Sequence, residues 1–160
     1  MMQEIQFLLT ILAALGSGLM AGTFFAFSVF VMGALGRLPD EQGIAAMNEI
    51  NVVVLNVVFL GVFLGTAVVC AALAVASLWM WQSPGSGWRL SGSILYVAGC
   101  FMVTMVYNVP LNTALARAAS GTPETITVWR MYQAKWTAWN HVRTVAPLAA
   151  LACFLVAAAR

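Results

Sequence analysis

His141 is the only histidine of the chain, and Arg143 follows two residues later. Histidine is the side chain best suited to general-base work near neutral pH. A guanidinium can hold the oxygen on which charge develops when a proton leaves the carbon beside a carbonyl. Carboxamides accompany the pair: Asn140 next to it, Asn108 and Asn112 earlier, and Asn48, Asn51 and Asn56 earlier still. Thr104, Asn108 and Asn112 recur at i, i+4 and i+8 and so share a helix face. Trp136 and Asn140 share another face, and Thr137 falls with His141. These types suggest His141, Arg143 and Glu49 as catalytic groups, with Asn108, Asn112, Asn140, Trp136, Asn51 and Asn56 against a substrate. Each residue also has a plainer explanation. Amides bond helices together in membranes, Arg143 can snorkel to headgroups, and Glu49 can pair with Arg143 or Lys135.

Composition dictates what must position these residues. Of 160 residues, 62% are hydrophobic and 8% charged, where a soluble domain carries about a quarter charged. Asp, Glu, Lys and Arg are absent from 5–36, 50–88, 90–116 and 144–159. A spanning helix needs about 20 apolar residues. The expectation is therefore an all-α integral membrane protein, one domain over 1–160, folded as a four-helix antiparallel bundle with both termini on one side. The start, Met1-Met2-Gln3-Glu4, lacks the basic stretch of a cleaved signal peptide. In the first helix, over 5–35, Ala14, Gly18, Gly22 and Ala26 form a small-residue stripe for close packing, with Gly61 and Gly65 as a second pair. Asp40 is expected to cap the second helix, which runs unbroken to the region of Gln82, anchored at the interface by Trp79 and Trp81. Pro110 should kink the third helix by freeing the carbonyl of Val106. Thr122 caps the fourth, with Pro123 in its first turn.

Helix rise sets depth. At about 1.5 Å per residue, Asn108 lies roughly 29 Å from Arg89, and His141 about as far from Arg160. Ser28 and Asn56 reach a similar level, so polar groups from four helices meet one membrane boundary, opposite the termini. Polar side chains inside a membrane mark a site. One pocket holding His141, Arg143, Asn108, Asn112, Asn140 and Glu49 is the expectation. Five of the seven basic residues lie on that side, which assigns it to the cytoplasm by the positive-inside rule. The expected location is multi-pass, in a bacterial inner membrane.

A net charge of +2, with no basic arm, argues against nucleic acid as a partner. The partners expected are the lipid bilayer and a hydrophobic small molecule, and homo-oligomerisation is left open. Cys70, Cys100 and Cys153 form no Cys-x-x-Cys pair, which argues against thiol oxidoreductase chemistry. The sequence requires no cofactor. One His and one Glu are too few for a zinc or non-haem iron site, and a single haem with His141 as axial ligand is the one arrangement left open.

Several motifs carry a family resemblance. They are Gly22-Thr23-Phe24-Phe25-Ala26-Phe27-Ser28, Arg37-Leu38-Pro39 and Ala46-Met47-Asn48-Glu49-Ile50-Asn51, then Asn108-Val109-Pro110-Leu111-Asn112 and Trp136-Thr137-Ala138-Trp139-Asn140-His141-Val142-Arg143-Thr144. Together they resemble the anthrone oxygenase-like family of small membrane proteins over nearly the whole chain. Gly33 and Val57 depart from it, standing where proline is common. Some fungal relatives oxidise an anthrone to an anthraquinone with dioxygen. The resemblance implies a membrane oxygenase or oxidoreductase acting on a planar, lipid-soluble phenolic or anthrone-like substrate. His141 would be the base, with Arg143, Asn108, Asn112 or Asn140 on the oxygen. The competing function is a non-catalytic membrane protein that binds a small hydrophobic ligand or lipid, or an accessory subunit.

Overall fold

The computed structural model describes residues 2–118 and 123–160, and among them it contains helices and no strand. Five helices follow one another: α1 (Gln3–Leu35), α2 (Asp40–Val53), α3 (Val57–Trp79), α4 (Ser86–Arg117) and α5 (Pro123–Ala158). Four of them, α1, α3, α4 and α5, are long and apolar enough to cross a membrane, as a multi-pass protein requires. α1 packs on α3 and α5, and α4 packs on the same two, closing a ring in chain order. Neighbours run antiparallel. Gln6 near the start of α1 meets Met80 just past α3, and Phe154 near the end of α5 fills the space a side chain at Gly92 would need.

The bundle carries two apolar cores. The larger, on the side of the termini, joins Ala13, Met20, Phe63, Leu73, Tyr96 and Phe154 from the four spans. The smaller is aromatic and lies at the other end. It packs Trp129, Tyr132 and Trp136 of α5 against Met32, Leu35, Met47 and Leu115. At 36 residues, α5 is roughly 54 Å long, well beyond the hydrocarbon thickness. The excess forms this second core together with α2.

The structure departs from the sequence-based expectations at several points. The second helix is not continuous: the chain breaks between Val53 and Val57, and Asn56 takes an extended conformation as the cap of α3. The run Val52-Val53-Val54 disfavours helix, and asparagine is a strong capping residue. Asp40 does not cap α2. Pro39 holds that position, and Asp40 and Glu41 occupy the first turn, where acids suit the helix dipole. The small-residue stripe does not stay in contact. Ala14 is buried, but Gly22, Gly61 and Gly65 face open space. Thr122 lies outside the described residues.

Pro110 does not simply kink α4. π-helical turns precede it at Val97–Met102 and Thr104–Asn108, and α1 has one at Phe27–Val31. Proline offers no N–H to the carbonyl four residues back. The widened ladder instead bonds the N–H of Val109 to the oxygen of Thr104. Cys70 and Cys100 are buried and Cys153 is half-buried, all as free thiols.

Candidate active site between the two cores

Along α5 the buried residues Trp129, Tyr132, Trp136, Asn140, Arg143, Pro147, Ala150 and Phe154 recur every three or four positions. Such spacing gives one inward face, and its middle is polar. There Asn140 and Arg143 lie between the aromatic core above and the apolar core below.

Arg143 is only 5% exposed. Its Nε donates to Asn140 Oδ1 at 3.0 Å and its Nη1 to Thr104 Oγ1 at 3.4 Å. The guanidinium lies 4.2 Å from the centre of the Phe24 ring and 4.6 Å from that of Trp136. Cation–π contacts on both rings offset part of the cost of removing the charge from water. Among the described residues, no carboxylate pairs with it. An arginine stays protonated at any physiological pH, so this is a buried positive charge with neutral partners alone.

Asn140 sets the geometry. It is fully buried, and because its oxygen accepts from Arg143, its nitrogen must be the donor. That nitrogen bonds Phe24 O and Ser28 Oγ, both at 2.7 Å. Thr144 donates to Asn140 O at 2.8 Å and shares a 3.1 Å contact with Ser28. Since the Thr144 proton is already given, the Ser28 hydroxyl donates across that contact. One asparagine therefore ties α5 to α1 and fixes Arg143.

The other expected site residues fall into two groups. Asn108, also fully buried, donates from Nδ2 to Trp136 O at 3.2 Å, and its Oδ1 has no partner among the described residues. Asn112 accepts from Tyr132 OH at 2.9 Å and Trp136 Nε1 at 2.8 Å. With Asn140, Arg143 and Trp136 they make one cluster across α4 and α5. The indole of Trp136 is enclosed, bonded to Asn112 and packed under Arg143, so it supports the guanidinium and is not an open stacking surface.

His141, Glu49 and Asn56 stand apart from that cluster. His141 follows Asn140 directly and so points about 100° away around the helix. It is exposed, in a groove of about 590 Å³ between α1 and α5 whose lining includes Ser28, Met32, Arg130, Gln133 and Thr137. The single pocket expected for His141, Asn108 and Arg143 does not form. Glu49 is exposed on α2 and is not among the partners of Arg143. Asn56 is exposed as well. Its Oδ1 accepts from the backbone of Val58 and Phe59 at 3.1 and 3.0 Å, which is a helix-capping role. Asn48 and Asn51 are half-buried on α2, with Asn48 Oδ1 and Asn51 Nδ2 lacking hydrogen bonds among the described residues, while the Asn51 side chain meets Tyr132 at the edge of the cluster.

Ser28 joins the two regions, lining the groove while bonding Asn140. Sequence reasoning placed Ser28 at the right depth without a role, and gave Phe24 and Pro147 none. Pro147 was legible: it leaves the carbonyl of Arg143 without its helical donor. Among the described residues, no three of His, Cys, Asp and Glu converge as a metal-binding group.

Comparison with known proteins adds one finding. Neither a curated protein nor a solved structure matches the chain. A family profile described as anthrone oxygenase matches residues 57–153, more than half of the sequence, spanning Asn108, Asn112, Trp136, Asn140, His141 and Arg143. The chain belongs to the anthrone oxygenase family.

Proposed function

We propose that this protein is a membrane oxygenase that takes a planar, lipid-soluble phenol or anthrone into the groove between α1 and α5 and oxidises it with dioxygen. The observation that carries this reading is the junction at Ser28. It lines the groove beside His141 and is bonded to the amide that holds Arg143. His141 removes a proton from the ring methylene, whose negative charge is carried by conjugation to the carbonyl oxygen across the ring. Arg143, enclosed behind the groove wall in a low-dielectric layer and with no carboxylate partner among the described residues, supplies a positive field that stabilises the enolate oxygen from a distance.

The electron-rich carbon then reacts with dioxygen. For an anthrone the atoms balance without an outside reductant. The methylene loses two hydrogens and gains one oxygen as the new carbonyl, and the second oxygen leaves as water. The buried amides Asn108, Asn112 and Asn140 hold the charged layer in place and do not touch the ring.

The test is oxygen uptake and quinone absorbance with an anthrone, using purified protein in lipid nanodiscs. His141→Ala is expected to lose about 10²–10⁴ in rate with an unchanged thermal transition. Oxidation that proceeds equally well with His141→Ala, or no oxidation by the native protein, would reject the enzyme in favour of a binding protein.

A further inference from the structure

The groove at His141 has a neighbour. Along the same α1–α5 seam, toward the termini, lies a cleft of about 540 Å³ lined by Leu15, Gly18, Leu19, Gly22, Thr23 and Leu151 among others. At Gly22 nothing lies within 4 Å of where a side chain would begin, and at Gly18 only Leu151 does, at 3.5 Å. Both glycines therefore open space instead of sealing a helix contact. The two clefts differ in chemistry. The upper holds Arg130, Gln133, Thr137 and His141, with no carboxylate in its lining. The lower holds no charged side chain, and the hydroxyl of Thr23 is bonded to Leu19 O at 2.9 Å.

A basic, hydrogen-bonding recess with a separate apolar trough farther along the same seam fits an amphiphile with an electron-rich oxygenated head and one hydrocarbon chain long enough to reach from one to the other. We propose that the substrate is such a molecule, a phenol or anthrone bearing a long alkyl or prenyl tail. Its ring and oxygens sit at His141 and its tail lies along Gly18 and Gly22. This rests on the oxygenase reading above and names the substrate class for the same site. Bilayer lipid is as apolar as the trough, so the tail gains little from burial as such. The trough contributes orientation, holding the ring at the depth of His141.

The experiment compares an anthrone with and without a dodecyl chain in nanodiscs, with KM expressed per mole fraction of lipid. The tailed anthrone is expected to show a KM lower by about threefold to tenfold, a modest gain because the lipid the tail leaves is as apolar as the trough. Gly22→Leu fills the trough and should erase that difference. Leu19→Trp fills it from an exposed wall position and reports the same outcome should Gly22→Leu fail to assemble. Gly61→Leu, at an equally open glycine on α3, should preserve the difference. Equal KM values in the native protein, or an advantage that survives both trough-filling variants, overturns the proposal. If neither anthrone turns over, a dodecylphenol carrying a diazirine at the chain end decides. Crosslinks concentrated at Leu15, Leu19 and Leu151 and lost in Gly22→Leu support a tailed ligand even though the oxygenase reading has failed. Crosslinks spread evenly over the lipid-facing surface overturn it.

Discussion

Two arginines are almost equally buried in this bundle, Arg89 at 6% exposure and Arg143 at 5%, and they are held in opposite ways. Arg89 opens α4 at the turn from α3. Its Nη2 donates to Pro84 O at 3.0 Å and Ser86 Oγ at 3.1 Å. Gly85 is in the left-handed conformation at φ 77°, and a side chain there would meet Ala157 O and Arg89 Nη1. The charge thus sits by a turn carbonyl and the C-terminal end of α5, where a helix dipole favours a cation. Among the described residues, Arg143 has no such backbone supply. Side chains and rings from three spans, Phe24, Thr104, Trp136 and Asn140, meet it in the middle of the molecule. A cation held by backbone groups serves the fold. A cation held by a dedicated set of side chains beside a groove is a feature that folding alone does not call for.

Exchanging each arginine for a similarly sized apolar residue tests this contrast most severely. Arg143→Met is expected to cut turnover by about 10–10², less than the loss of a donor bonded directly to an oxyanion, because the guanidinium acts through its field from behind the groove wall. Its thermal transition should shift little, because relief of the buried charge offsets the acceptors left open at Asn140 Oδ1 and Thr104 Oγ1. Arg89→Met should do the reverse, lowering stability by about 1–3 kcal/mol while turnover per folded molecule stays at the native level. Swapped outcomes would end the distinction. A stability effect of the same order is expected at Asn140. Asn140→Leu strands Arg143 Nε, Phe24 O and Ser28, and should destabilise the protein by about 3 kcal/mol in thermal unfolding. The smallest belongs to Ser86→Ala, which removes the hydroxyl bonded to Arg89 and to Met80 O at 2.8 Å. A loss of about 1 kcal/mol in the same measurement, with turnover untouched, is expected.

The sequence announced the four spans plainly, because charge-free runs of that length have few other uses. It also announced the level of the polar layer, since helix rise converts residue number directly into depth. It did not reveal which residues share a pocket. Depth says nothing about azimuth, and a step of about 100° per residue sends His141 to the groove while Asn140 and Arg143 turn inward. Face-sharing pairs such as Trp136 with Asn140 were readable along one helix, but the side of α5 that meets α1 depends on packing across the ring. The break before Asn56 was hidden by its apolar neighbours, which read as continuous span. Only local competition between a β-branched run and a capping amide stops the helix there. The π turn in α1 had no local signal at all, whereas Pro110 marked those in α4.

Those wide turns make the bundle mechanically uneven. Ordinary α-helix above and below is stiff, whereas π turns are where helices bend. Ser28, Cys100, Thr104 and Asn108 all lie within such turns, at the level of the buried charge. The compliance of the molecule is therefore concentrated at its waist. A rigid ring wedged between α1 and α5 would be accommodated by flexing there, leaving both cores closed.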